Sequence, residues 1–481
     1  MDKDLRSVQE VRELLAQAKL AQEQLAGMEQ EQIDKIVEAM AREGQNHARE
    51  LAQMAVEETG FGLVEDKVIK NQFASTRVFE AIKPLKTVGL LRKNQEEKTW
   101  DYGVPVGVTA GLVPSTNPTS TVIYKALISL KAGNPIIFSP HPNAAKCIIR
   151  TAELMARAAE GAGAPKGSVS CITIPTMEGT QALMRHKDTK LILATGGGGM
   201  VKAAYSSGNP AIGVGAGNGP AYLHKSCDLP AAVKRILDSK TFDNGTICAS
   251  EQSIVVEEDF APTVRAELER QGAYVLPPEE RDKLAKFILR CNGTMNPAIV
   301  GRSVAELVRL AKLEGVPAGT RVLLAKEDGV GDGHPFSNEK LGLILAYYVE
   351  PDQATALKRV VEVLRYEGAG HTFSIHAKDD SVIAAFARQA PASRVLVNTP
   401  SSLGGIGATT NLFPALTLGC GAVGGSSSSN NIGPLDLINI KRVAWGVKEL
   451  EELKGGDRDW NQMCTPKELT WLVQEVLSRL R

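Results

Sequence analysis

The sequence predicts an α/β protein with parallel sheets and more than one core. Two observations carry this. The chain has 481 residues, too many for a single hydrophobic core. From about residue 104 onward, short apolar runs alternate with helical segments, which is the pattern of parallel strands joined by crossover helices. Such sheets bind ligands at the carboxyl ends of their strands. Apolar content of 43% and charged content of 23% are those of an ordinary globular protein. With a net charge of zero, nothing in the composition suggests a polybasic surface for nucleic acid or membrane. No apolar run approaches a transmembrane length, and Met1-Asp2-Lys3-Asp4-Leu5-Arg6 has no signal-peptide character. A cytoplasmic protein with no nucleic-acid or membrane partner is expected.

Residues 6–55 are helix-rich, with Val8, Val11, Leu14, Leu15 and Ala18 at helical spacing and Ile33, Ile36 and Val37 continuing it. Val106–Val113 then reads as a buried strand, 119–131 as a helix and Pro135–Ser139 as a strand. A helix over 143–161, a strand over Val169–Ile174, a helix near 178–186 and the strand Leu191–Thr195 follow. That last strand runs through Thr195-Gly196-Gly197-Gly198-Gly199 into a helix, Met200 to Ser206. Glycines at a strand-to-helix turn let a pyrophosphate approach backbone N–H groups. The run is not GxGxxG, and a tight turn with glycines in unusual conformations would read the same way. A second α/β region spans about 220–420, with helices near 260–272 and 279–290 and strands near 297–300 and 371–376. Ser401 and Ser402 lead into Gly404, Gly405 and Gly407, a flexible turn by composition. Gly419–Ser429 is low-complexity, but the apolar residues that flank it argue for an ordered loop.

Cys248 is one of seven cysteines, at 147, 171, 227, 248, 291, 420 and 464. An odd number without CxxC fits free thiols in a reducing compartment, and the histidines show no metal-ligand spacing, so no metal is expected. Cys248 stands apart because Asn244, Gly245, Ser250 and Gln252 surround it, leading into the strand Ile254-Val255-Val256. A roomy, polar setting is what a nucleophilic thiolate needs. At the other end, Thr465-Pro466-Lys467-Glu468 forms a capping box. Leu469, Leu472, Val473, Val476, Leu477 and Leu480 then share one helix face, behind the polar tether Lys454–Asp459. Such a helix suits a partner's groove, its own domain or a sister subunit.

Together these segments resemble the coenzyme-A-acylating branch of the aldehyde dehydrogenase superfamily, as found in the first half of bifunctional aldehyde–alcohol dehydrogenases. The motifs are VPVGVTAGLVPSTNPTSTVIYKALISLKAGNPIIFSPHP (104–142), LILATGGGGMVKAAYSSGNPAIGVGAGNGP (191–220), KTFDNGTICASEQS (240–253), NEKLG (338–342), GAGHT (368–372) and LTLGCGAVGG (416–425). The resemblance covers about residues 5–445. It implies a Rossmann-like nucleotide-binding domain (1–217, with a bridging hairpin at 86–103), an α/β catalytic domain (218–420) and a return segment (421–446). The tether and helix occupy 447–481. The bridging β element would mediate a homodimer or a dimer of dimers. The alcohol dehydrogenase half is not in the chain, so the protein is expected to make or use an aldehyde without reducing it to an alcohol.

The resemblance also implies roles. Cys248 matches the nucleophile that attacks the aldehyde to give a thiohemiacetal. Asn117, in Pro114-Ser115-Thr116-Asn117-Pro118, matches the amide of the oxyanion hole, worth roughly 3 kcal/mol for a single donor. Hydride transfer to the nicotinamide would leave a thioester. Ser139, Pro140 and His141 would lie along the adenosine, Thr195, Gly196 and Gly197 along the pyrophosphate, and Glu339 at the nicotinamide ribose. NAD is the default cofactor, with NADP open.

Hydrolytic relatives carry a glutamate where this chain has Val214, in Gly213-Val214-Gly215-Ala216-Gly217, a segment that also borders the cofactor. Without that carboxylate nothing is expected to activate water, so the thioester should pass to coenzyme A. His371 is a candidate acid/base for Cys248 or for the coenzyme A thiol, or a structural histidine fixing the strand that follows it. Gly407–Phe413 departs from the Asp-Leu-Tyr-Asn-Phe run of acetaldehyde-using relatives, which would enlarge the acyl pocket or make it more polar. With no arginine in the pocket motifs, a short neutral aldehyde, acetaldehyde or propionaldehyde, is favoured over succinate semialdehyde or sulfoacetaldehyde. The C-terminal helix (465–481) resembles peptides that direct such enzymes into bacterial microcompartments, by contact with a shell or core protein. A non-enzymatic scaffold on this fold is the reading of another class.

Overall fold

The computed structural model describes residues 2–290, 293–450 and 466–479. Two compact units emerge, one of residues 1–89 and 103–439, the other of 90–102 and 440–481. Cys291, Cys464, the tether, Thr465 of the capping box and the side chains of Leu469, Leu472 and Leu480 lie outside the described residues.

Strands β1 (Gly89–Asn94) and β2 (Thr99–Pro105) precede a five-stranded parallel sheet. Its strands are β3 (Thr109–Val113), β4 (Ile136–Pro140), β5 (Val169–Cys171), β6 (Leu191–Thr195) and β7 (Ala211–Val214), in the order β5-β4-β3-β6-β7. The alternation of side chains divides two cores. Ala110, Leu112, Ile137, Ile192 and Ala194 pack with Val11, Leu15 and Ala18 of the first helix, Lys3–Leu25. Val113, Ile136, Phe138, Leu191 and Leu193 pack on the other face with Ile123 and Leu127 of the wholly buried helix Pro118–Lys131. Helices therefore cover both faces, as parallel sheets require. The chain winds outward from β3 to β5 and then restarts at β6 on the other side, so the crevice between β3 and β6 is a topological switch point.

A seven-stranded parallel sheet follows: β8 (Gly219–Leu223), β9 (Glu251–Glu257), β10 (Ala273–Val275), β11 (Val322–Lys326), β12 (Ile344–Glu350), β13 (Gly370–His376) and β14 (Ala392–Val397), ordered β10-β11-β12-β9-β8-β13-β14. Only a short segment, Gly215 to Asn218, links β7 to β8. The carboxyl ends of the first sheet therefore adjoin the amino ends of the second.

Several expectations change. Residues 106–108 and 172–174 stand outside their strands, β3 and β5. The strand expected near 297–300 is a 3-10 turn, Pro297–Ile299. Pro297 has no N–H to give a ladder, and the Asn296 side chain accepts from the Ala298 amide instead. The Ser401–Gly407 segment is not a flexible turn. Ser401–Gly405 is a short helix with Ser401, Ser402, Gly404 and Gly405 buried. The Ser402 amide donates to Ser239 Oγ at 2.8 Å and the Ser401 amide to Glu251 at 3.0 Å. Gly419–Ser429 is ordered, tied by Gly419 N to Asn430 O and Gly421 N to Ser428 O.

The second unit contains most of a three-stranded sheet, ordered β1-β2-β15, with β15 at Ile438–Ala444. Trp100 and Trp445 meet edge to face with centroids 4.9 Å apart, and Arg442 Nε donates to Asp101 at 2.6 Å. Ile440, Val443, Trp445, Val447 and Leu450 are exposed. The helix Pro466–Arg479 exposes Trp471, Val473, Val476 and Leu477. Among the described residues no helix is long and apolar enough to cross a membrane.

Candidate active site

A cavity of about 460 Å³ opens where the two sheets meet. The carboxyl ends of β3, β4, β6 and β7 supply one wall. They bring Thr116 and Asn117, then Ser139, Pro140 and His141, then Thr195, Gly196 and Gly197, then Val214 and Gly215 to the same space. Thr246, Cys248 and Glu339 come from the second sheet's side. Eleven of the twelve residues singled out from the sequence thus line one cavity. The twelfth, His371, is fully buried behind Cys248, with Nε2 3.2 Å from Sγ. Cys248 precedes β9 and His371 opens β13, so the second sheet presents amino ends here. The rule of carboxyl ends holds for the first sheet alone, because β7 runs directly into β8.

The loop that carries Cys248 is held open by backbone that favours glycine or a small polar residue. Asp243, Asn244 and Gly245 all have positive φ, at 49°, 52° and 75°. Gly217 faces the loop from the other side. A Cβ there would sit 1.9 Å from the Cys248 carbonyl oxygen, so only glycine lets the β7–β8 link pass. By contrast, none of Gly196 to Gly199 has positive φ, and a Cβ on Gly197, Gly198 or Gly199 would meet nothing within 4 Å. Neither a strained turn nor internal packing requires these glycines. They open the helix Gly198–Tyr205, whose first backbone amides have no intrahelical acceptor, beside Thr195, whose buried Oγ1 has no partner among the described residues.

Asn117 occupies the N-cap position of the Pro118–Lys131 helix, yet its side chain does not cap it. Its amide is used elsewhere: Nδ2 donates to Thr246 O at 3.1 Å and to Thr116 Oγ1 at 3.2 Å, and Oδ1 accepts from Lys70 Nζ. Glu339 Oε1 accepts from the Gly217 amide at 2.8 Å, and burial, with Glu367 second, pushes its carboxyl up to about 8. Glu339, expected at the nicotinamide ribose, thus places a carboxyl group in the same cavity as Cys248. One of its oxygens is turned back onto the Gly217 amide.

His371 Nδ1 lies 2.9 Å from Thr372 Oγ1. With its proton on Nδ1, donated to Thr372, Nε2 can accept from the Cys248 thiol. Burial and then Arg394 push His371 down to about 3, so the ring is neutral. Burial, then Glu339, push the Cys248 thiol up to about 12, with Arg394 opposing. The resting pair is a neutral thiol and a neutral imidazole, not an ion pair. Thiolate content then rises with pH throughout the neutral range. Iodoacetamide labelling of the Cys248 peptide, followed by mass spectrometry, should accelerate about tenfold per pH unit from about pH 6 to about pH 9. A plateau near neutrality would contradict this electrostatic picture.

Two features escaped the sequence reading. Leu412 and Phe413 do not line the Cys248 cavity but a second one of about 480 Å³, together with Arg394 and Asn431. An arginine does therefore stand near the expected acyl segment. It was invisible because Arg394 lies on β14, away from the motif. Its guanidinium is buried against Gly419 O at 2.7 Å. Glu327, Asp328 and His334 come together away from both cavities, with Glu327 Oε1 2.8 Å from His334 Nδ1. Their spacing in the sequence gave no sign of it.

Residues 4–277 match the aldehyde dehydrogenase family. The chain belongs to the aldehyde dehydrogenase family. Its α/β architecture is the aldehyde dehydrogenase fold. It is 45% identical over 443 residues to the bifunctional aldehyde-alcohol dehydrogenase of Escherichia coli K12, an alignment that covers 91% of this chain and 50% of that one. The chain thus spans about half the length of that relative. A probable aldehyde dehydrogenase from Listeria monocytogenes EGD-e superposes with a TM-score of 0.93 at 60% identity, covering 94% of this chain and 100% of the other. An acetylating aldehyde dehydrogenase from Geobacillus thermoglucosidasius gives 0.91 at 53% identity, with 93% and 99% covered. A propionaldehyde dehydrogenase from Rhodopseudomonas palustris, solved with bound coenzyme A and an acylated cysteine, gives 0.81 at 27% identity, with 90% and 97% covered.

Proposed function

We propose that this aldehyde dehydrogenase is coenzyme-A-acylating: it oxidises a short aldehyde with NAD and coenzyme A to an acyl-CoA, reversibly, through a thioester on Cys248. The observation that carries the reading is Val214. It ends β7 as a buried apolar side chain on the cavity wall, where an activated water would need a base. A thioester is slow to hydrolyse but is displaced readily by a thiol. The acylated cysteine and coenzyme A in the Rhodopseudomonas palustris enzyme are the state and partner that Cys248 would meet.

Each residue has a role in this scheme. Cys248 attacks the aldehyde carbonyl while His371 accepts the thiol proton at Nε2. The Asn117 N–H that faces the Thr116 hydroxyl, turned to the substrate, and the Cys248 amide hold the oxyanion. The cavity fits a nicotinamide dinucleotide: the glycine turn at Gly196 and Gly197, which opens a helix, and Thr195 Oγ1, without a partner among the described residues, suit its pyrophosphate, and Ser139, Pro140 and His141 its adenosine side. Val214 and Gly215, which line the cavity beside Cys248, would border the nicotinamide end, and Glu339 would suit the adjoining ribose. A bound cofactor would supply the hydride acceptor for a thiohemiacetal on Cys248. Among the described residues no lysine or arginine lines the cavity, which favours NAD over NADP and acetaldehyde or propionaldehyde over an anionic aldehyde. Arg394 beside the neighbouring cavity keeps succinate semialdehyde and sulfoacetaldehyde in the test.

The uncovered apolar residues of β15, Ile440 and Val443, suit a homodimer or a dimer of dimers through the three-stranded sheet. The exposed apolar side chains of Pro466–Arg479 suit a microcompartment shell or core protein. A panel of these four aldehydes, assayed with NAD or NADP and with or without coenzyme A, tests the assignment. Turnover with acetaldehyde or propionaldehyde that requires coenzyme A is expected. Steady turnover to a free acid without it would overturn the reading. His371→Ala at the wild-type rate would remove His371 from the scheme.

A further inference from the structure

Lys70, on the helix Val64–Gln72, is 2% exposed and does not line the cavity. All three of its ammonium donors are engaged. They reach Asn117 Oδ1, Thr246 Oγ1 at 3.2 Å and the Asp243 carboxylate. One side chain therefore links the amide proposed for the oxyanion to the loop that carries Cys248. Asp243 is fully buried and holds the cluster together. Its Oδ2 accepts from Lys67 at 2.9 Å and from Thr246 Oγ1 at 2.7 Å, and its Oδ1 accepts from the Leu63 amide at 2.8 Å. Burial pushes Lys70 down to about 8, and Asp243 opposes that fall, so the ammonium stays charged near neutrality.

An ammonium only donates, so the oxygen end of the Asn117 amide must face Lys70. The NH₂ end is then fixed away from it. One N–H is held by the Thr246 carbonyl, and the other reaches only the neighbouring Thr116 hydroxyl, at 3.2 Å and on the cavity wall. A hydroxyl can rotate and release that N–H to a ligand. A cation on the amide oxygen also draws electron density from the nitrogen, which makes its N–H a stronger donor.

We propose that Lys70 is a positioning residue for the acyl-transfer site: it fixes the flip of the Asn117 amide, polarises it toward a developing oxyanion, and sets its distance from Cys248 through Thr246. This rests on the reading of Asn117 as an oxyanion donor. Lys70 is used here to orient a group and not to touch substrate.

A double-mutant cycle of Lys70→Met and Asn117→Ala, with kcat, KM and thermal melting measured on the full chain, tests it. Lys70→Met should lower kcat about tenfold to a hundredfold with little change in KM. In the Asn117→Ala background the same change should cost almost nothing, because the group it acts through is gone. A kcat loss of equal size in both backgrounds, or melting that falls while kcat holds, would overturn the proposal. If Asn117→Ala alone left kcat unchanged while Lys70→Met lowered it, the oxyanion reading and the positioning role that rests on it would both fall. Losses from Asn117→Ala with none from Lys70→Met would overturn the positioning role alone.

Discussion

Cys248→Ala should reduce acyl-CoA formation on the order of 10⁴-fold or more, the loss typical of removing a covalent nucleophile. No other described cysteine lines the cavity. Cys147 and Cys420 are buried, and Cys171 and Cys227 lie elsewhere on the chain, so none can take over attack. The substitution removes the thiol that faces His371 Nε2, while Ile247 and Ala249 beside it stay buried. The variant should therefore melt near the wild-type temperature and still bind its ligands. Intact-protein mass spectrometry gives the companion result. Wild-type protein incubated with an acyl-CoA should gain one acyl group, and the variant none. An acylated variant would move the nucleophile to another residue.

Asn117→Ala should lower kcat by about 10²- to 10³-fold, the range for loss of one oxyanion donor. KM for the aldehyde should change little, since the interaction forms as charge develops on the carbonyl oxygen. Truncation also leaves Lys70 with one donor unpaired in a buried cluster, at a cost of about 1–3 kcal/mol in stability. Melting separates the two effects. A kcat loss larger than tenfold in protein that is still fully folded at the assay temperature supports the catalytic reading. A variant that is destabilised but retains its turnover would reduce Asn117 to a structural residue of the Lys70–Asp243 cluster.

Much of the site was legible because short motifs sit at the carboxyl ends of strands with clear apolar runs. Leu191–Thr195 was read with its full boundaries, and Ser139 and Thr195 fell where the switch point puts them. Val106–Val108 and Ile172–Ile174 are apolar enough to read as strand but stand outside the ladders. Strand β11, Val322–Lys326, and the 3-10 turn Pro297–Ile299 look alike in the sequence, because a short apolar run carries no periodicity to decide between them. Lys70 was hidden for a deeper reason. A lysine in a charged helix reads as solvated, and only the distant Asp243, in its left-handed turn, gives it a buried counter-charge. Gly217 is likewise one glycine among several in the sequence, and only the Cys248 carbonyl packed against it gives the position its constraint.

The most direct test of the account is the time course of NADH formation when excess aldehyde and NAD are mixed with the enzyme and coenzyme A is withheld. A burst of about one NADH per active site followed by a stall is expected, because a thioester on Cys248 would find no base at Val214 to activate water. Adding coenzyme A should restart turnover at once. Continued NADH formation without coenzyme A, with free acid accumulating, would contradict it.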